Sequence, residues 1–581
     1  IIPCTESSSE RTSGKAAHPL CDQLDYVGGF NEEKTNIYLN ELEKWKNSDA
    51  ALNAVYHYVL GGTIIEDLME NSIFKENEYI STSDEDEKTQ IDKDKVRKFG
   101  VRFSVRIETN IIKTWESKEL RDKWISYNSD IISTSNNLFD YISGNNVFQV
   151  ASNHPKNINS ITGNAKLISC NDTSGFTFRG RFNTQDDAVI VDYVESQKMH
   201  QMLRWLIANH GYSVDTQVII TWAVDKQPEV KEKAHDNSFD LFSNMMAIKT
   251  DTEILEEARS QVSTDYAKKL NSFLQGYGSA HSIKQQHRKI CIAVFDAATT
   301  GRMSLLFYQE LFENEYLESI VNWHKDTSYF LTAWKKGTDE KGRPKNTPIS
   351  YIGAPSYDEI LSAVYGKPKG DKSYNILKKK VRKQLLECMF GSFSFPKSMV
   401  DMAANKASRP LSFTDANGKF HKADWDKSVS ITCALARKYY KQQKEEISLN
   451  LDEKRTDRDY LFGRLLSVAD KMESIALYKS NTKERPTNAV KLMSAFQIKP
   501  YSTWGQLYSQ LIPYKNQLNG AWYHQSLIDE IMTLFQDGDY ENNSPLSPLY
   551  LLGYSAQNRA FLKNDKNNEN MEENQNDSIT E

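Results

Sequence analysis

What the chain lacks narrows its chemistry first. Its six cysteines, Cys4, Cys21, Cys170, Cys291, Cys388 and Cys433, are scattered with no CxxC pair among them. That spacing argues against a disulfide framework or a cysteine zinc site and fits the reduced thiols of a cytoplasmic protein. No run approaches the roughly 20 apolar residues needed to cross a bilayer, and the front carries no signal-peptide pattern, so no membrane partner is expected. An excess of positive charge is missing too: 72 Lys and Arg face 78 Asp and Glu, a formal net charge of −6. Any nucleic-acid surface must therefore be a local patch balanced by acid elsewhere. Catalytic signatures are also absent. There is no GxxxxGK phosphate loop, no GxSxG elbow, and the 11 histidines show no HExxH spacing. His235-Asp236 stands without a further ligand group and reads as structural. The chain opens at Ile1-Ile2-Pro3 with no initiator Met and reads as a fragment.

What is present points to an α+β protein of several regions. At about 100–200 residues per domain, 581 residues make three or four units, and 29 Tyr with 25 Phe can fill several cores. Residues 1–230 and 231–420 mix strand and helix signals, 421–563 is nearly all helical, and the Asn/Glu-rich 564–581 reads as a disordered tail. In the first region Leu52, Val55, Tyr56 and Val59 share one helix face, ended by Gly61-Gly62. The charge-rich run Ser81 to Lys98 reads as a solvated insertion. Phe99, Val101, Phe103, Val105 and Ile107 then alternate with Arg102 and Arg106 as one half-buried strand, and a helix follows from Lys118 to about Tyr127. Val147 to Val150 and Ala165 to Ser169 read as short strands, and Ala188 to Asn209 as an amphipathic helix with Val194, Leu203, Leu206 and Ile207 near its apolar face. Val218 to Trp222 and the unbroken apolar run Ile290 to Phe295 are strands, the latter buried on both faces and partnered by Leu305 to Tyr308. Lys335 to Pro348 reads as a polar connector. In the last region, helical spacing recurs from Trp425 to Tyr440, from Leu461 to Ala476, and again after Pro486. A helix stop before Pro500, a cap at Thr503 and short connectors then make an antiparallel bundle.

The segment with the most distinctive chemistry is Ala165 to Phe182, AKLISCNDTSGFTFRGRF. Phe176, Phe178 and Phe182 alternate there with Gly175, Arg179, Gly180 and Arg181. Aromatic faces stack bases, Arg pairs with phosphate or forks onto guanine, and Gly admits close backbone approach. The plainer reading is a bent strand with a buried aromatic face and two solvated arginines. Lys198 and Arg204 follow on the adjacent helix, where such cations are ordinarily just solvated. Arg11 to Pro19 is a short basic loop, equally suited to a DNA approach or a surface connection. Thr300-Gly301-Arg302 reads as a tight turn with a possible phosphate contact, and Lys378-Lys379-Lys380, Arg382 and Lys383 as either a nucleic-acid face or a wet helix. Asp186, Asp187, Asp192 and Glu195 have the oxygens that Mg²⁺ wants, but acids at a helix start are ordinarily dipole partners.

AKLISCNDTSGFTFRGRF, with VESQKMHQMLRWLIANHGY (Val194 to Tyr212) after it, resembles the large subunit of type I-C CRISPR surveillance (Cascade) complexes. The resemblance continues through RTSGKAAHPLCDQLDYV, DAATTGRMS, YIGAPS, ITCALARKYY, DRDYLFGRLLSVAD, RPTNAVKLMSAF and PLYLLGYSAQNR, in that order across nearly the whole chain. Family members begin several dozen residues earlier, so part of the N-terminal domain is expected to be missing.

The resemblance implies a non-enzymatic subunit with no cofactor and no metal. It implies recognition of a protospacer-adjacent motif in double-stranded target DNA, help in opening the duplex, and stabilisation of the R-loop. Its partners would be the guide RNA through the complex, backbone and guide-end-binding subunits, a separately made small subunit that the C-terminal bundle resembles, and a helicase–nuclease. On their chemistry, Arg11, Lys15, Asn171, Arg179 and Arg181 are the expected motif contacts, with Lys198 and Arg204 adjacent. Arg464, Lys471, Arg485 and Lys491 are the expected displaced-strand contacts. A sequence-independent single-strand-binding scaffold and a Mg²⁺-dependent nuclease using Asp187 and Asp192 are the alternatives.

Overall fold

A computed structural model describes the chain between residues 4 and 562, leaving out 72–95, 170–181, 183–188, 225–232 and 242–287 among its longer stretches and several shorter ones. Asn171, Arg179, Arg181, Asp186 and Asp187, the body of the insertion at 81–95 and the tail at 564–581 lie outside the described residues. The chain divides into two compact units, one comprising Ile1–Gly211 with Phe295–Leu305, the other Tyr212–Val294 with Leu306–Glu581.

In the first unit, helix α1 (Glu32–Glu43) starts where Asn31 accepts the Lys34 N–H, and α2 (Ala50–Gly61) where Asp49 accepts from Ala51. The α2 stop is Gly62, at φ +72°, a backbone region that glycine enters without a Cβ penalty. Leu52, Val55, Tyr56 and Val59 are all buried, as their spacing requires. The alternating stretch after Phe99 is not one strand. It forms β2 (Gly100–Arg102), which pairs with β1 (Cys21–Gln23), and β3 (Ser104–Ile107), which pairs with β4 (Asn110–Lys113). The break is Phe103, which is buried and whose carbonyl accepts from both the backbone and hydroxyl of Thr114. Helix α3 runs Lys118–Ile132. The two short strands expected at 147–150 and 165–169 are single bridges, Val150 to Asp192 and Lys166 to Arg302. Helix α4 (Tyr193–His210) begins later than its pattern suggests because Asp192 caps it, accepting from Val194 N at 2.8 Å. Val194 is consequently exposed, while Tyr193, Ser196, His200, Leu203 and Leu206 are buried.

Strands β5 (Gly211–Val214), β6 (Gln217–Ala223), β7 (Lys289–Thr299) and β8 (Arg302–Phe312) form a four-stranded sheet in that order. Ile290 to Phe295 is buried throughout, as an unbroken apolar run demands. Helix α5 (Glu313–Asp326) follows. The connector expected at 335–348 is instead a ladder of β9 (Tyr329–Thr338) with β10 (Pro344–Gly353), Pro348 opposite Trp334. In a two-stranded sheet each strand has an unpaired edge, so a missing proline N–H is tolerated.

Helices α6 (Tyr357–Tyr365), α7 (Lys372–Phe390), α8 (Lys397–Ala407) and α9 (Lys422–Gln442) lead into α10 (Arg458–Lys479), α11 (Asn488–Ile498), α12 (Pro500–Lys515), α13 (Ala521–Thr533) and a final helix α14 over 549–562. Pro500 opens α12 rather than merely ending α11, since a first-turn proline has no N–H to lose, and Thr503 sits inside the helix. One apolar core runs from Ile219 to Phe561, so the sheet region and the C-terminal helices share it. The architecture is α+β with a helical C-terminal region.

Two glycines set a close contact between α10 and α14. A Cβ built on Gly463 of α10 would lie 1.9 Å from the Tyr550 carbonyl oxygen, and one on Gly553 of α14 would lie 2.1 Å from that of Tyr460. At each contact a glycine, having no Cβ, lets the other helix's tyrosine carbonyl approach closely.

Candidate nucleic-acid interface

Each cation marked on the sequence must be asked what else holds it, because a guanidinium already paired in the fold reads no DNA without giving up that pair. Arg11 is so paired. Its two terminal nitrogens fork onto the Asp22 carboxylate at 2.9 and 2.7 Å, one of them also donates to the Ala16 carbonyl, and the guanidinium lies 4.2 Å from the Tyr26 ring centre. Asp22, with its side chain fully buried, also accepts the His18 and Gln23 backbone N–H groups. The basic loop is thus folded around its own arginine. Lys15, 52% exposed and paired only at the surface with Glu33, remains presented to solvent.

On α4, Lys198 is exposed beside Glu195, 2.8 Å away. Arg204 is turned back, donating to the carbonyls of Asn157 and Lys156. The same loop is fastened again by His154, whose Nδ1 lies 2.8 Å from the Ser196 hydroxyl, while the Nδ1–H of His200 donates to the Ser196 carbonyl. Burial, then the neighbouring His200 and Lys166, push His154 down to about 4, so it is neutral near pH 7. The acids Asp192 and Glu195 are occupied, the first as the α4 cap and the second with Lys198. Among the described residues, no group of three or more His, Cys, Asp or Glu is placed to hold a metal.

The lysine-rich stretch of α7 is largely neutralised. Lys378 and Arg382 reach Asp358 at 3.0 and 2.9 Å, Lys379 reaches Asp215 at 3.1 Å, and Lys383 pairs with Glu387. Arg382 is buried and also covers the Tyr212 ring, whose other neighbour is His235, stacked at 3.7 Å. His235 is a packing residue, held neutral down to about 4 by burial first and then by Arg382.

The bundle corrects one expectation outright. Arg464 is 0% exposed, its Nε donating to Gln557 Oε1 at 3.0 Å and its Nη1 to the Glu453 carbonyl at 3.1 Å, so it joins α10 to α14 inside the core. A cation on a helix is ordinarily solvated, but this one falls on the buried face. Lys471 lies 5.9 Å from the Phe561 ring centre. Arg485, 43% exposed, bridges the buried Glu473 at 2.6 Å and the Tyr514 hydroxyl at 2.9 Å. Lys491 is exposed, with no ion-pair partner among the described residues.

Geometry therefore leaves Lys15, Lys198 and Lys491 turned to solvent, while Arg485 is half-exposed but held by the buried Glu473, on a chain whose sequence blocks keep one order from end to end. The family model described as CRISPR-associated protein (Cas_Csd1) matches residues 1–562. The chain belongs to the Cas_Csd1 family. This is the large-subunit family of type I-C surveillance complexes, and a Cas_Csd1 chain is a CRISPR-associated Cascade subunit that works beside other components. No curated protein matches the chain. Among its described residues, no helix is long and apolar enough to cross a membrane.

In this Cas_Csd1 chain, cation counting overlooks the end of the bundle where α10 finishes, α11 begins, α12 finishes and α13 begins. Tyr478, Tyr523 and Trp522 are 66, 42 and 75% exposed there.

Proposed function

We propose that this chain is the non-catalytic large subunit of a type I-C RNA-guided DNA surveillance complex. It recognises a short motif beside the target in duplex DNA, helps open the duplex, steadies the R-loop and docks the helicase–nuclease. The family match over residues 1–562 is the observation that carries this reading. Duplex opening exchanges one helix for another of similar stability, so a few protein contacts at the motif tip the balance. A chain with a net charge of −6 suits that task better than broad coating of DNA, which needs many phosphate contacts. Within the motif region, Arg11 acts as the loop's internal pin and Lys15 as a phosphate contact, with Asn171, Arg179 and Arg181 as base or phosphate contacts.

The test is copurification with a guide RNA and partner subunits, followed by competition between duplexes that differ only beside the target. Preferential binding of one flanking sequence, lost with Arg179→Ala and Arg181→Ala, is the expected result. If the two arginines touch only phosphates, binding should weaken on every sequence and the salt slope should fall by about 0.9 per contact. A complex that binds its target equally well without this chain would refute the reading.

A further inference from the structure

Helix α12 turns a face without charge to water. From Pro500 to Tyr514 the sequence PYSTWGQLYSQLIPY holds no Asp, Glu, Lys or Arg, on a chain in which 26% of residues are charged. Helices α10, α11 and α13 do carry exposed charges, Lys479, Lys491 and Asp529 respectively. The inward face of α12 is ordinary, with Trp504, Leu507 and Leu511 buried. On its outward side Tyr501, Gly505, Tyr508 and Ile512 are all exposed. Spacings of four, three and four place them within about 60° of one another around the helix. A surface helix normally sets charged and polar residues opposite its core face, so an exposed apolar stripe on an uncharged helix marks a contact surface.

The stripe complements itself. A two-fold axis passing between Gln506 and Leu507 lays two copies of α12 antiparallel and makes every contact reciprocal. It puts Tyr501 opposite the second copy's Ile512 and Gly505 opposite the second copy's Tyr508, then repeats both pairs in reverse. Each tyrosine ring thus meets an aliphatic side chain or a notch, because a Cβ built on Gly505 would touch nothing within 4 Å. The patch continues past α12. The Tyr508 hydroxyl donates to Gln525 Oε1 at 3.1 Å, and Trp522, one turn earlier on the same side of α13, is 75% exposed. Other occupants fit less well. A charged partner would lose water against a face that answers no charge, and residues 564–581, rich in Asn, Asp and Glu, offer little to an apolar stripe.

We infer that the outer face of α12 is a self-association surface, on which a second copy of this chain docks antiparallel about a two-fold axis. The contact is one helix pair with its flanks, below the roughly 1,600 Å² of a standard interface, so the association is reversible. It follows from the packing of the bundle and does not depend on the proposed function.

The test follows the mass of the purified full chain by sedimentation, from nanomolar to the highest soluble concentration. A reversible monomer–dimer equilibrium is expected. Ile512→Glu should weaken it by at least about tenfold, because the new carboxylate loses water opposite Tyr501 with no partner. Adding Tyr501→Lys to that variant should restore the dimer, since each ammonium then faces a carboxylate of the second copy. Within one chain the two positions lie roughly 16 Å apart along α12, too far to pair, so the rescue reports the two-fold geometry. Both positions are exposed, and the melting profile checks that each variant is folded. A wild-type chain that stays monomeric at every concentration would overturn the inference. So would a dimer untouched by Ile512→Glu, which places the contact elsewhere, or a folded double variant that stays monomeric, which removes the two-fold pairing. A monomeric wild type whose Ile512→Glu variant no longer copurifies with other subunits would give the face to a different protein and overturn it too.

Discussion

The contact between α10 and α14 gives the sharpest test of the packing described above. Replacing Gly463 by Ala puts a carbon 1.9 Å from the Tyr550 carbonyl oxygen, and ordinary contact begins at 3.4 Å, so the helices must part by about 1.5 Å at that point. The obstacle is backbone on both sides and cannot rotate away as a side chain would. Parting the helices strains contacts of Tyr460, Leu461 and Tyr550, all buried in the shared core. Overpacking of this kind costs about 1–3 kcal/mol and occasionally more, against a gain of about 1 kcal/mol from replacing glycine inside a helix. Since the blocking atoms are main-chain, the upper part of that range applies, and a net loss of about 2 kcal/mol or more is expected. Gly505, inside α12, supplies the control, because a Cβ added there would meet nothing within 4 Å. There Ala should raise stability by about 0.5–1 kcal/mol. Urea midpoints of the three proteins, read by circular dichroism, make the comparison. Gly463→Ala and Gly553→Ala combined should cost less than their sum, because one separation relieves both. If Gly463→Ala unfolds at or above the wild-type midpoint, the close approach is wrong.

Three further outcomes follow from groups buried with their partners. His324 is fully buried, with Nδ1 2.7 Å from the Ser238 hydroxyl, and burial pushes it down to about 4. The unfolded chain therefore takes up a proton below about 6.5 that the fold refuses until about 4. This stabilisation is complete above the unfolded value and is lost as pH falls between the two, by about 3 kcal/mol at most for this histidine. Urea midpoints at neutral and mildly acid pH should show a shallower acid loss in His324→Asn than in wild type. An identical loss would mean that the imidazole is protonated in the fold. Asp22→Ala should cost about 3–5 kcal/mol, the usual penalty when one partner of a buried pair is removed, because it strands Arg11 and two backbone N–H groups. Faster amide exchange around residues 16–27 is the readout, and unchanged protection there would contradict it. Glu473 accepts from Arg485 and from the Asn488 N–H, both at 2.6 Å, so Glu473→Ala should destabilise the start of α11 by about 2 kcal/mol, the scale of a charged hydrogen bond. Glu473→Gln should recover part of this, and equal loss in both would show that charge, not hydrogen bonding, matters.

Much of the secondary structure was legible from period and punctuation. The face Leu52, Val55, Tyr56, Val59 and the run Ile290 to Phe295 needed only a 3.6-residue repeat and an unbroken apolar stretch. Punctuation failed where context outranked it. The lysines, glycine and prolines around 335–348 read as a connector, yet cross-strand pairing made them a ladder. The alternating residues after Phe99 read as one strand but change partner at Phe103.

The chemistry on offer was legible in the sequence; the availability of each cation was not. Composition predicts a local cation-bearing patch on an acidic chain, and the order of the sequence blocks points to the family whose model matches residues 1–562. Whether a given cation is offered to solvent or consumed by the fold was decided only in three dimensions. Arg464 finds its acceptor on Gln557, 93 positions away, and Arg204 finds its own on a loop 47 and 48 positions before it. Residue type and local spacing determine what a side chain can bond and which helix face it shares. They do not determine which distant carbonyl or carboxylate arrives within 3 Å, because that depends on how whole helices pack. Residue order and type were enough to name the family, the α+β class and the chemistry on offer; how whole helices pack settled which charged groups remain for a partner.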